Sequence, residues 1–191
     1  EKLMADPELV NDRMRELSLK LPVDSDIQIA IRFIEQSALY YAQVRGLGTL
    51  KLNSTKEYVE KYTEEFYLVD LYYRRTLEAY HELIRKENPI EQTLSVAKRQ
   101  LDLDYAKITN ILNLEWLTCV AEKGAWFTET GLKRQEDFYK NESDTSMKQV
   151  VIVCDALRYE VAKELMQELA KEKHIATISA YQAMLPTETK Y

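Results

Sequence analysis

Between Ile27 and Cys119 apolar residues return every three or four positions with few interruptions, a rhythm that only helices satisfy over such a length. The first stripe, Ile27, Ile31, Ile34, Ala38 and Tyr41, follows the capping cluster Asp24-Ser25-Asp26 and is punctuated by Gly46 and Gly48. Ser54 with Glu57 carries a capping-box signature. Behind it Val59, Tyr62, Phe66, Val69, Tyr73, Leu77, Tyr80 and Ile84 keep the spacing until Asn88-Pro89. A third stripe runs through Leu94, Ala97, Leu101, Tyr105, Ile108, Leu112, Trp116 and Cys119. Long helices joined by short breaks predict an antiparallel bundle, closed by a shorter helix over about residues 129–140. Only four Gly and four Pro punctuate the 191 residues, which agrees with long helices rather than many turns.

Charged residues make up 30% and the net charge is −6, with acids and bases interspersed. That mixture fits a soluble globular protein and gives no basic stripe for nucleic acid or anionic membrane. The sequence contains no apolar run long enough to span a bilayer and no signal-peptide pattern, so the cytoplasm is the expected compartment. Cys119 and Cys154 read as buried reduced thiols rather than a disulfide. The eight tyrosines from Tyr40 to Tyr80 suit core and interface packing, because the ring buries while the hydroxyl finds a partner. Asp70 and Arg74 stand one helical turn apart, the spacing of a surface ion pair. His81 and His174 have no further ligand at metal spacing and are expected to be structural or solvent-facing.

The character changes over 141–146, a polar stretch that reads as a linker. Val150-Val151-Ile152-Val153-Cys154 is apolar at every position, the pattern of a strand buried on both faces of a parallel sheet. Tyr159 to Lys171 returns to helical spacing, and Ile175 to Tyr181 reads as a second strand, completing a βαβ unit. The division expected is a helical bundle over 1–141 and the start of an α/β domain over 147–191. Asp155 leaves the first strand and Thr187 and Thr189 follow the second. Ligands of open parallel sheets bind outside those strand ends, so the three are placed to face one cleft. A carboxylate beside a hydroxyl suits metal-assisted phosphoryl chemistry, although one Asp does not make a catalytic zinc site. An Asp ending a strand is also an ordinary helix cap, and Pro186-Thr187 is ordinary turn chemistry.

The run Val150-Val151-Ile152-Val153-Cys154-Asp155-Ala156-Leu157-Arg158-Tyr159-Glu160 resembles the opening of PglZ domains, and Met184-Leu185-Pro186-Thr187-Glu188-Thr189 is similar to their second signature. Tyr67 to Arg74, with Trp116 and Trp126, resembles the helical segment that precedes those domains, less specifically. PglZ domains belong to the alkaline phosphatase superfamily. The resemblance implies a two-metal site, usually zinc, with Asp155 as one ligand and Thr189 as nucleophile, Thr187 being the runner-up. Arg158 could reach a phosphate, with a helix-start salt bridge as the plainer role. The remaining ligands are expected beyond residue 191, so the chain is not expected to act, or to bind zinc tightly, by itself; Glu1 in place of an initiator Met agrees with the expectation of a fragment. The function implied is phosphate-ester or phosphodiester hydrolysis in BREX-type phage defence, with other defence proteins as partners of the helical region. The alternative is a non-catalytic scaffold with a vestigial hydrolase domain.

Overall fold

The computed structural model describes residues 5–22, 26–123, 130–142, 146, 148–155 and 157–183. Helix α1 (Pro7–Ser18) is started by Asp6, whose carboxylate accepts from the Leu9 amide at 3.1 Å, with Pro7 in the first turn where a missing N–H costs nothing. Helix α2 (Asp26–Gly46) comes next; the Asp24-Ser25 capping expectation falls outside the described residues.

The second stripe forms a continuous helical run in three parts: α3 (Thr55–Lys61), a π-helical turn (Tyr62–Phe66) and α4 (Tyr67–Arg85). Ser54 Oγ accepts from the Glu57 amide at 3.2 Å, and the Glu57 carboxylate returns to the Asn53 amide at 2.8 Å, so the capping residues work as their spacing suggests. The π-helical turn is not visible in the apolar spacing. It inserts bonding of the wider i→i+5 kind into the ladder and leaves carbonyls of that turn for side chains to cap.

Helix α4 ends at Asn88-Pro89 as expected. The Asn88 amide reaches back to the Leu83 carbonyl and the Glu87 amide to that of Ile84, both at 3.0 Å, while Glu87 sits at φ 49°. This is a Schellman closure with glutamate in the left-handed position that glycine usually fills. Asn88 then starts α5 (Ile90–Lys123) by accepting from the Ile90 amide at 3.0 Å.

Helices α2, α4 and α5 pack antiparallel around two linked cores. Near one end Ile29, Ala30 and Phe33 of α2 meet Ala79, Tyr80 and Leu83 of α4, with Leu94 and Ala97 of α5 against them. Towards the other end Tyr40, Val69 and Leu101 are buried together, flanked by Tyr41, Tyr73 and Tyr105. The tyrosines do pack as a belt: Tyr73 and Tyr105 stack with ring centroids 3.7 Å apart and an interplanar angle of 6°. Their hydroxyls reach carboxylates on α5 or α4, Tyr41 to Asp104 at 2.8 Å, Tyr73 to Asp102 at 3.1 Å and Tyr105 to Asp70 at 2.7 Å.

Beyond the bundle the chain is predominantly irregular, with β1 (Lys133–Arg134), a 3₁₀ turn (Gln135–Asp137), α6 (Phe138–Glu142), α7 (Tyr159–Lys171) and β2 (Tyr181–Gln182). The strands pair in parallel, Lys133 with Tyr181 and Arg134 with Gln182, so helices give way to a small parallel pair around a helical crossover. Helix α7 has the bounds expected for it.

Three expectations need correction. The helix foreseen over 129–140 is a short strand, a 3₁₀ turn and one turn of α-helix where described. Val150 to Val153 forms no ladder and is exposed, Val153 at 88%, because among the described residues no strand lies alongside it to supply the buried setting its composition suits. The second strand is reduced to Tyr181–Gln182, its earlier residues being unpaired. Cys119 is buried as expected, but Cys154, at the end of that exposed run, is not. His81 and His174 face solvent.

Helix α7 closes like α4, with Lys173 at φ 63° and the His174 amide on the Leu169 carbonyl at 3.0 Å. Because a side chain is strained there and glycine is not, Glu87→Gly and Lys173→Gly should each stabilise the chain by about 0.5–1 kcal/mol, read as a higher urea midpoint at unchanged m-value.

Candidate functional site

Asp155 lies in a turn four residues before α7 and is exposed, while Thr187 and Thr189 fall outside the described residues. The described residues show how the segment after Asp155 is joined to the bundle. Arg158, in extended backbone at φ −72° and ψ 153°, is the N-cap residue of α7. Its guanidinium lies 3.4 Å from Asp70 Oδ1 and 2.9 Å from Glu160 Oε1. Asp70, on α4, also accepts from the hydroxyls of Tyr62 at 2.9 Å and Tyr105 at 2.7 Å. Three donors thus converge on one carboxylate that is only 13% exposed.

Glu160, two residues after Arg158 in the first turn of α7, is wholly buried. Its carboxylate lies between Arg158 and Arg74, the latter 3.8 Å away on α4. Neither of its oxygens makes a well-aligned hydrogen bond, so charge rather than directional bonding holds it. One turn further, Glu164 takes Arg74 on one oxygen and Arg75 on the other, with Arg75 at 2.7 Å. The α4–α7 contact is therefore a seam in which acids and bases of the two helices alternate. The surface pair expected between Asp70 and Arg74 does not describe them: Asp70 turns to Arg158, and Arg74 to Glu78, Glu160 and Glu164.

Tyr159 adds an uncharged anchor. Its hydroxyl donates to the Thr63 carbonyl of the π-helical turn at 3.3 Å, and its ring meets those of Tyr62 and Tyr67 at 6.0 and 5.5 Å. Gln43 caps the Glu65 carbonyl of the same turn from α2, also at 3.3 Å. Beside this anchor is a cavity of about 690 Å³, walled by aromatic residues of the bundle such as Tyr58, Phe66 and Trp116 and by Leu132, Ala180 and Tyr181 of the C-terminal part. Asp70 and Tyr159 belong to its wall, whereas the acidic side chain of Asp155 does not.

Burial and the neighbouring carboxylates push the tyrosine hydroxyls up: Tyr105, bonded to Asp70, and Tyr73, bonded to Asp102, are each raised from 10.0 to about 12, and Tyr62 is raised further. Burial is the main cause in all three.

Among the described residues no group of three or more His, Cys, Asp or Glu side chains could hold a metal ion. The described residues thus do not make up a metal centre around Asp155, and no chemical step can be derived through one from this geometry.

Residues 136–191 match the family described as the BREX system PglZ alkaline phosphatase-like domain. The C-terminal segment is PglZ-like. The curated "Alkaline phosphatase-like protein PglZ" of Bacillus cereus (strain H3081.97) is 27% identical over 168 residues, which cover 81% of this chain and 19% of that protein. An alignment of that extent reaches upstream of the PglZ-like segment into the helical bundle, so both parts are shared with this relative. The chain spans about a fifth of the relative's length. No solved structure matches the chain. No described helix is long and apolar enough to cross a membrane.

The seam itself was only half visible in sequence. Arg158 and Asp70 each stand out locally, but nothing in their spacing links positions 88 residues apart. The signal that could have pointed to it is the pair Glu160 and Glu164 on one face of α7 set against Arg74 and Arg75.

Two outcomes follow. Glu160→Gln, which leaves two guanidiniums facing a neutral amide, should cost about 2 kcal/mol or more in an equilibrium urea titration. The raised tyrosines favour the folded state while protonated, a contribution present below pH 10 and lost as pH rises through about 12. Absorbance at 295 nm should therefore show phenolate appearing together with loss of helical circular dichroism above pH 10, rather than before it.

Proposed function

We propose that this chain is part of a metal-dependent phosphatase or phosphodiesterase of the PglZ type that acts in BREX-like phage defence. The match of residues 136–191 to an alkaline phosphatase-like family carries that reading, and the exposed position of Asp155 just ahead of α7 is compatible with it. Residues 1–141 form its helical region and 147–191 the beginning of its hydrolase domain. Asp155 is the first metal ligand, Thr189 is the nucleophile with Thr187 as runner-up, and the remaining ligands come from residues other than these. Two zinc ions are the expected complement; held in part by Asp155, they would supply Lewis acidity to a phosphoryl group. The Thr189 oxygen forms a bond to phosphorus as the ester alcohol departs, and water then releases phosphate or the monoester from the threonine. The compartment is cytoplasmic and the substrate a phosphate ester or diester.

A second reading is a non-catalytic module that docks other defence proteins. The aromatic-walled cavity between bundle and C-terminal part favours it, since such a concavity suits an apolar anchor from a partner. Full-length polypeptide assayed on bis(4-nitrophenyl) phosphate with added zinc separates the two. Asp155→Ala and Thr189→Ala should each lower the rate by at least about a hundredfold, and Thr187→Ala by far less. Hydrolysis that survives both of the first two variants would sink the hydrolase assignment.

A further inference from the structure

Arg158 lies three residues after Asp155 and Glu160 five, and each is held from the opposite side by one residue of helix α4. Asp70 holds the first. It has little freedom to do otherwise, since Tyr105 donates to its Oδ1 and Tyr62 to its Oδ2. Arg74 holds the second, and Arg74 is itself fixed through Glu164 on the following turn of α7. Between these two ties the Tyr159 hydroxyl is fastened to the π-helical turn. Three consecutive residues, 158 to 160, are thus pinned to one helix by a charge pair, a hydrogen bond and a buried carboxylate. The backbone leaving that clamp toward its N-terminus is the Asp155 turn.

We infer that Asp70 and Arg74 are positioning residues: the bundle aims the Asp155 loop through Arg158 and Glu160. The inference rests on the hydrolase reading above and deepens it. Arg158 is engaged by two carboxylates at 2.9 and 3.4 Å, and contacting a phosphate would mean leaving the wholly buried Glu160 to Arg74 alone and Asp70 without its cation. It therefore serves as the link between bundle and loop, and the helical region is a working part of the site rather than a passenger. Errors of about an ångström in a reacting group cost on the order of a hundredfold in rate, so a tie of this kind is worth keeping even far from the chemistry.

The test uses the full-length polypeptide, bis(4-nitrophenyl) phosphate and zinc. Asp70→Asn should lower kcat on the order of tenfold with KM little changed, and should raise the zinc concentration needed for half-maximal rate. Asp70→Glu, which keeps a carboxylate for Arg158, should retain at least half of the kcat that Asp70→Asn loses. If Arg158 instead contacts phosphate, Arg158→Lys raises KM while Asp70→Asn leaves kcat untouched; that pattern overturns the inference. A thermal double-mutant cycle of Asp70→Asn and Arg158→Met on the 191-residue chain guards against variants that merely fold poorly. Coupled residues should lower Tm together by no more than the worse single variant, roughly 2–4 °C, and additive losses would refute the tie. Activity that ignores Asp155→Ala while the cycle shows coupling would instead mark failure of the hydrolase reading, with the aiming role falling alongside it.

Discussion

The contact between α4 and α7 is made from guanidinium and carboxylate, and the placement of everything after the bundle depends on it. Burying Glu160 completely is costly unless its charge is matched, and Arg74 and Arg158 match it from two sides. Arginine suits this role better than lysine because its planar fork can serve two acids at once, as Arg74 does between Glu160 and Glu164. An apolar seam of equal area would hold the helices together but would tolerate sliding. Alternating charges one turn apart penalise any shift in register by bringing like charges together.

The bundle gives this seam one acid, Asp70, without leaving a bare charge inside it. Its tyrosines stack or tilt against one another in the core while their hydroxyls run outward to Asp102, Asp104 and Asp70. Each aspartate on this belt thereby takes at least one hydrogen bond from protein. Asp70 stands at the place where the belt meets the seam, so the same carboxylate closes the packing of α4 on α5 and receives Arg158. The π-helical turn lies next to it, and its distorted ladder is what exposes a carbonyl for Tyr159.

The helices were legible because their signals are local. Ser54 with Glu57, Asn88-Pro89 and the apolar spacing from Tyr159 to Lys171 set boundaries by short-range bonding, and those boundaries are where the chain puts them. The strands were less so, since a run such as Val150 to Val153 becomes a strand only when neighbours offer a ladder, and that depends on residues far away. The π-helical turn left no trace because one widened turn barely disturbs the three-and-four rhythm. Of the site, the two motifs around Asp155 and Thr189 were readable as a resemblance, and the family match covers both. The partnership of Asp70 with Arg158 was not readable, being set by tertiary packing alone.

Val150, Val151, Ile152 and Val153 sit in the open with unpaired backbone and no charge among them. Such a stretch is a template for strand addition from another molecule, and Cys154 at its end puts an exposed thiol on the same edge. A strand laid along that run would pair its backbone and cover its side chains, the setting its all-apolar composition suits.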